Sequence, residues 1–259
     1  MTKHLPDLTS FKKFKTSKET TSRKILLVTA FVENGTSALA LLKQSQILGQ
    51  FLSSDTLIIV ADGGLDVAMN LGLNPHIVVG DMDSSKMPKS VLESLSTIKL
   101  PVEKDFSDTE AILMALLGYI DSDIGSDIPT VSSQVLILGG LGGRLDHSLA
   151  NLGILQRYNH VVSDQGSIVE VIGLLDGNNF VQWLEPGVHT VNKDLCPPFN
   201  SIGFAALEEV KGVTLTGLKY STENATLMPL SSFAISNSFL DCDGKITIAE
   251  KGLFAIRTL

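Results

Sequence analysis

Apolar and polar positions divide the chain into two regimes. From Lys24 to about Gln165, short Val/Ile/Leu runs alternate with segments of helical period. The runs Lys24–Ala30, Thr56–Ala61, His76–Gly80 and Val135–Gly139 are nearly continuous, as expected of strands buried on both faces of a parallel sheet. Thr36–Leu48, Leu65–Leu71 and Pro88–Ser96 are the predicted intervening helices. Gly72 offers a left-handed C-cap with Pro75 beyond it, and Pro88 suits a first turn. Ser107 and Glu110, at capping-box spacing, predict a helix that carries the apolar run Ala111–Ile120. Leu145, Leu149 and Leu152 predict another from about Arg144. Strand–helix alternation of this kind builds an α/β layer with right-handed crossovers.

From about Ile168 the helical period is lost. Ile168–Leu174, Phe180–Leu184, Gly187–Val191, Ser201–Ala206, Val213–Leu218, Phe233–Ser236, Lys245–Ala249 and Leu253–Arg257 read as short strands, most of them separated by Gly, Asn, Asp or Pro. Such punctuation marks an antiparallel sandwich or barrel. The expected organisation is a basic, disordered tail over residues 1–23, an α/β domain with a mostly parallel sheet over 24–165, and an all-β sandwich over 166–259.

Composition narrows the function classes. The chain has 259 residues, 44% of them hydrophobic and 19% charged, which excludes a disordered or coiled-coil protein. A net charge of −8 argues against nucleic acid as a partner while leaving room for a local anion site. No apolar run approaches the ~18–20 residues of a membrane span, so no membrane partner is expected. Cys196 and Cys242 have neither Cys nor His at metal-ligand spacing and read as thiols of a reducing compartment. Residues 1–24 hold seven Lys/Arg and two Asp/Glu without an apolar stretch, unlike a secretory signal. The expected location is cytoplasmic.

The chemistry-bearing residues concentrate at predicted strand ends of the first regime, where ligands bind in open α/β sheets. Asp62-Gly63-Gly64 follows one strand; its glycines allow close backbone approach, and the next helix offers free N–H groups. Asp81-Met82-Asp83 follows another. Two carboxylates two residues apart on an extended chain face the same side and repel unless a cation intervenes. Lys104, Asp105, Ser107 and Asp108 sit at a predicted helix start, with more carboxylates than a cap needs. Four glycines among residues 139–143 precede Arg144, Asp146 and His147. This loop is neither a Walker A nor a dinucleotide fingerprint, yet it can cradle phosphate, and Arg144 can grip it bidentately. Taken together these residues suit a phosphate site with Mg²⁺, which prefers hard oxygen ligands completed by substrate phosphates.

In order and spacing, Asp62-Gly63-Gly64, Gly80-Asp81-Met82-Asp83-Ser84, Asp105-Phe106-Ser107-Asp108, Gly142-Gly143-Arg144-Leu145-Asp146-His147 and Ser236-Asn237 resemble the thiamine pyrophosphokinase (thiamine diphosphokinase) family. The similarity is to its bacterial branch, including Lys104 and the Lys251-Gly252 turn, and it runs from about Lys24 to the C-terminus. It implies transfer of a diphosphate group from ATP to the thiamine hydroxyl, giving thiamine diphosphate and AMP, with Mg²⁺, in a homodimer that binds thiamine between subunits. The α/β domain would bind nucleotide and Mg²⁺ and the β-sandwich thiamine. By the same resemblance Asp81, Asp83 and Asp108 would hold Mg²⁺. Asp62, Gly63, Gly64, Ser107, Gly142, Gly143, Arg144, Asp146 and His147 would surround ATP. Lys104 would add positive charge, and Asp105 would accept the hydroxyl proton. Ser236 and Asn237 would hold the pyrimidine. Tyr220 follows Gly217-Leu218-Lys219 where animal members carry a stacking Trp, and its ring offers a weaker face to the cationic thiazolium. Two rival classes are an Asp-x-Asp nucleotide-sugar transferase and a non-catalytic thiamine or nucleotide binder. The first would need neither the Gly-Gly-Arg-x-Asp-His loop nor the β-rich half, and the second would tolerate loss of the carboxylates.

Overall fold

The computed structural model describes residues 23–45, 47–82, 95–100, 103–118, 132–164, 166–193, 199 and 201–259. The tail over 1–22, Asp83, most of the expected helix Pro88–Ser96, and Cys196 lie outside the described residues; Cys242 is an exposed free thiol. Among the described residues no helix is long and apolar enough to cross a membrane.

The described residues form two compact units, with the chain passing from one to the other between Val32 and Glu33, between Ser53 and Ser54, and between Ile172 and Gly173. The first is built on strands β1 (Arg23–Val28), β2 (Leu57–Ala61), β3 (Ile77–Gly80), β4 (Ser96–Lys99) and β5 (Ser132–Leu138). They run parallel in the order β5-β1-β2-β3-β4. The register sets Leu138, Val28, Val60 and Val78 level, so the strand C-termini share one edge. Every residue of β3 is buried, as a strand covered on both faces must be, which explains its unbroken Ile-Val-Val-Gly. The expected mostly parallel sheet is therefore present.

Ser96 begins a strand rather than ending a helix. Ser-Thr-Ile-Lys is largely exposed at the sheet edge, and an edge strand needs no apolar run. The unit's helices are α2 (Gly64–Asn70), α3 (Asp108–Leu116) and α4 (Leu145–Arg157); α1 (Gly35–Gln44) falls in the second unit. In α3 every residue from Thr109 to Leu116 is buried except Glu110, so its apolar run reads as a core helix. The α4 stripe differs from expectation. Leu145 and Leu149 are exposed, and the buried side chains are Ser148, Asn151, Ile154 and Leu155. The short β6 (Val161–Val162) and the first part of β7 (Ile168–Asp176) complete this unit; they pair antiparallel, and β7 lies beside β5.

The second unit holds α1, a 3₁₀ turn (Leu48–Leu52) and the all-β region. The end of β7 pairs antiparallel with β8 (Asn179–Leu184), which is followed in the sheet by β14 (Leu253–Thr258) and β10 (Ser201–Ala205). A second antiparallel sheet has the order β12-β11-β13-β9, from β9 (Gly187–Val191), β11 (Val210–Thr216), β12 (Thr222–Leu227) and β13 (Gly244–Ile248). Ile202 and Phe204 of β10 and Leu253 and Ala255 of β14 share one core with Val213, Leu215, Ile246 and Ile248 of the second sheet. This is the expected sandwich, and β10 and β13 bury alternate residues as a one-faced sheet requires. Gly173 leaves room for the buried Phe180 ring, since a Cβ there would lie 2.5 Å from Phe180 Cε2.

The expected strand Phe233–Ser236 is a turn. Phe204 takes a backbone bond from its N–H to Ala234 O, and only Asn237 forms an isolated bridge, to Ile202. The strand Thr222–Leu227 was absent from the expectation because Thr-Glu-Asn-Ala-Thr-Leu carries no apolar run.

Candidate active site

The first strand-end group lies where β2 and β3 finish. Asp62 donates its backbone N–H to Val79 O (2.8 Å), and its carbonyl accepts from Leu65 N (3.0 Å) as α2 starts. The side chain is buried and lies against the bare backbone of Gly80, where a Cβ would stand 2.5 Å from Asp62 Cβ. It therefore belongs to the strand edge rather than to a helix cap. Gly64 is equally constrained, since a Cβ there would reach 3.0 Å from Thr29 O, so α2 begins hard against the end of β1.

Asp81 follows Gly80 and is half-buried, so Asp62 and Asp81 flank one short stretch of the edge. Extended geometry stops there. Met82 has φ 65°, a left-handed conformation costly for a side chain of that size. Extended geometry thus ends at Met82, and Asp83 lies outside the described residues. Chain leaving β4 passes the same place, with Leu100 N–H on Gly80 O (2.8 Å).

The second group caps α3. Ser107 Oγ accepts from Glu110 N (3.2 Å), the expected cap. Lys104 Nζ lies 3.0 Å from Asp108 Oδ1, with both side chains largely covered, while Asp105 is exposed. One carboxylate of this group thus already holds a cation.

The third group is the Gly-rich loop between β5 and α4. Gly139, Gly140, Gly142 and Gly143 all have positive φ. At Gly139 a Cβ would meet Thr29 Oγ1 at 2.6 Å and Val32 Cγ2 at 2.5 Å, so only glycine fits both the dihedral and the space. Gly140 N–H donates to Phe31 O (2.8 Å). From below, Asn151 Nδ2 donates to Gly140 O (2.9 Å), and Ser148 Oγ accepts from Gly142 N (3.0 Å). Ser148 and Asn151 are loop-holding positions that the sequence reading missed. Their signal was two polar residues three apart on the helix face that Leu155 shows to be buried. Arg144 and Asp146 form an exposed pair, Nε to Oδ1 at 3.2 Å and Nη2 to Oδ2 at 2.5 Å. Its hydrogen bond is the main cause that raises the Arg144 pKa and lowers that of Asp146, with desolvation opposing both. His147 is exposed on the first turn of α4.

Ser236 and Asn237 lie in the second unit with Tyr220. Asn237 is buried and binds the backbone of Tyr220 twice, Oδ1 accepting from its N–H (2.9 Å) and Nδ2 donating to its carbonyl (2.7 Å). This fixes the Tyr220 backbone, while its ring is exposed with Lys219 Nζ 5.4 Å from its centroid. Ser236 is exposed with φ 55°.

Among the described residues no group of three or more His, Cys, Asp or Glu is assembled to hold a metal ion. Of the residues expected to hold Mg²⁺, the described Asp81 and Asp108 offer hard carboxylate oxygens of the kind that ion takes, and Asp108 is paired with the Lys104 ammonium.

Known proteins agree with this architecture. Residues 48–165 match the family described as thiamin pyrophosphokinase, catalytic domain, and residues 188–252 that described as thiamin pyrophosphokinase, vitamin B1 binding domain. A thiamine pyrophosphokinase of Bacillus subtilis is 29% identical over 212 residues, 80% of this chain and 90% of that protein. The crystal structure of a thiamine pyrophosphokinase from Bacillus subtilis shares the fold with TM-score 0.66 at 24% identity, covering 92% of this chain and 99% of that one. Thiamin pyrophosphokinase from Candida albicans does so with TM-score 0.67 at 18% identity, covering 92% and 90%. With both domain patterns of one family following each other along a single chain, and its fold reproduced, this chain belongs to the thiamine pyrophosphokinase family.

Proposed function

We propose that this protein transfers the diphosphate group of ATP to the hydroxyl of thiamine, giving thiamine diphosphate and AMP. The observation that carries this is the common edge on which β1, β2, β3 and β5 end, with Asp62 and Asp81 on one stretch and the Gly139–Gly143 loop with Arg144 on another. Carboxylates beside a bare glycine loop and a guanidinium suit a triphosphate accompanied by a divalent cation better than a neutral ligand.

Phosphoryl-type transfer needs positioning and charge stabilisation more than covalent chemistry. In the proposed site the loop N–H groups and the N-terminus of α4 orient phosphate oxygens, and Arg144 gives up Asp146 to grip them. Lys104 keeps a positive charge beside Asp108, and Asp105, which is exposed, is assigned to accept the thiamine hydroxyl proton. Mg²⁺, when bound, spreads the negative charge developing on the phosphate oxygens; Asp81, Asp83 and Asp108 are the residues assigned to hold it. Asp62, Gly63, Gly64, Ser107, Gly142, Gly143, Asp146 and His147 are assigned to the ATP pocket. Ser236, Asn237 and Tyr220 are assigned to thiamine, with Asn237 acting through the Tyr220 backbone it already binds.

Residues 24–165 are assigned to nucleotide and 166–259 to thiamine. A cytoplasmic homodimer is part of the same proposal. Exposed Leu145 and Leu149 in the first unit, and exposed Met228, Leu230, Phe233 and Ile235 in the second, are the apolar surface that supports it. The test is mass spectrometry of products from ATP, Mg²⁺ and thiamine. Thiamine diphosphate with AMP is expected; ADP as the nucleotide product overturns the assignment.

A further inference from the structure

We propose that Glu110 is a positioning residue, which with Arg157 and Tyr158 locks the carboxylate-bearing start of α3 to the helix that presents the Gly-rich loop. Its spacing from Ser107 suits a reciprocal capping box, in which the Glu carboxylate turns back to the cap residue's N–H. Only half of that box forms. Ser107 Oγ accepts from Glu110 N, but the Glu110 carboxylate turns across to α4, where Oε1 accepts from Arg157 Nη2 (2.8 Å) and from Tyr158 OH (3.3 Å).

The surroundings are built for this contact. The Glu110 side chain is only 14% exposed, and Tyr158 is 1% exposed. Arg157 lies back along its own helix over Gly153, where a Cβ would stand 2.9 Å from Nη1, so a larger residue there would make the guanidinium shift. A surface ion pair between two flexible side chains contributes little, but this carboxylate accepts two donors from a covered position.

Given the diphosphotransfer function above, on which this role rests, the clamp joins the two phosphate-handling segments. Asp108 opens α3 two residues before Glu110, with Lys104 bound to it. At the other end of α4, Ser148 and Asn151 carry the Gly-rich loop and Arg144 precedes the first turn. The 13 residues of α4 span about 20 Å at 1.5 Å each. A tilt of about 3° at the clamped end would move the far end by about 1 Å, a displacement that can cost on the order of 10²-fold in rate.

The test uses the full chain with Glu110→Ala, Glu110→Gln and Tyr158→Phe. The readouts are equilibrium binding of a non-hydrolysable fluorescent ATP analogue with Mg²⁺, and KM for each substrate. Glu110→Ala is expected to weaken analogue binding and raise KM for ATP about tenfold, with KM for thiamine within about twofold. Glu110→Gln keeps an Oε1 acceptor for both donors and should stay within about threefold of the native protein, with Tyr158→Phe intermediate. A Glu110→Ala protein that melts earlier yet binds the analogue and ATP as the native chain does would reduce Glu110 to a structural residue and overturn the role. If that variant does not fold, native analogue affinity in Tyr158→Phe overturns it equally. A native chain that binds the analogue but makes no thiamine diphosphate would instead sink the functional assignment, because analogue binding reads the clamp without turnover.

Discussion

Gly80→Ala tests whether the edge between β2 and β3 is as tightly built as it looks. The added methyl would lie 2.5 Å from Asp62 Cβ and 3.2 Å from its Cα and Cγ. Carbon atoms settle about 3.5–4.0 Å apart, so the pair must separate by roughly 1 Å. No rotamer of Asp62 relieves this, because a Cβ moves only with its backbone. That backbone is tied to Val79 by a 2.8 Å hydrogen bond one residue before the new methyl. Overpacking of this kind costs about 1–3 kcal/mol, which lowers Tm by about 2–4 °C per kcal/mol in a chain of this size. The same displacement moves Asp62 and Asp81, so turnover should fall on the order of 10²-fold. Gly72→Ala separates crowding from backbone strain. Gly72 has φ 69° and nothing within 4 Å of an added Cβ, so the variant should lose about 1–2 kcal/mol through the left-handed conformation alone and keep native turnover. Thermal melting and steady-state AMP release measure both. A Gly80→Ala protein with native Tm and native turnover, or a Gly72→Ala protein equally slow, would refute the reasoning.

Further outcomes follow from other contacts. Asn151→Ala removes the 2.9 Å bond that holds Gly140 O in a buried position and should cost about 1–3 kcal/mol. Asn151→Asp should melt lower still, since it turns a carboxylate toward a carbonyl. Asp81→Ala and Asp108→Ala should each abolish thiamine diphosphate formation, Asp81→Ala melting close to the native chain and Asp108→Ala lower because it takes a carboxylate from the largely covered Lys104 ammonium; near-native turnover at saturating Mg²⁺ removes that residue from the proposed metal site. The Asp146 carboxyl is held below the ordinary carboxylate range by Arg144. Its ionised form therefore favours the folded pair above the ordinary Asp value, and that contribution disappears as pH falls through the lowered one. Side-chain NMR titration should place the midpoint below that of a free Asp in the native chain and return it upward in Arg144→Ala. An unchanged midpoint would mean that the pair does not persist in solution.

The α/β layer and the all-β region were legible because burial imposes a period. Strands covered on both faces read as unbroken apolar runs, as in Ile77–Gly80, and one-faced strands alternate, as in Gly244–Ile248. Elements that bury little escaped. Ser96–Lys99 and Thr222–Leu227 sit at sheet edges and are held by backbone bonds that carry no side-chain signature. Phe233–Ser236 misled in the opposite sense, since Phe233 and Ile235 are apolar yet exposed on a turn.

Residue type and short spacing, which are properties of a linear chain, marked out the residues able to do chemistry: the carboxylates after the strands, the glycines before Arg144, and the resemblance their order carries. What those residues face was settled by folding. It set Asp62 against Gly80, ended the extended geometry at Met82, turned Ser148 and Asn151 inward to hold the loop, bound Asn237 to the Tyr220 backbone, and drew the Glu110 carboxylate away from its own helix cap to Arg157 and Tyr158. Each of these partnerships joins positions on separate elements, and a polar side chain can satisfy its hydrogen bonds in many local ways. Which one it takes is settled by packing that brings distant segments within about 3 Å of one another.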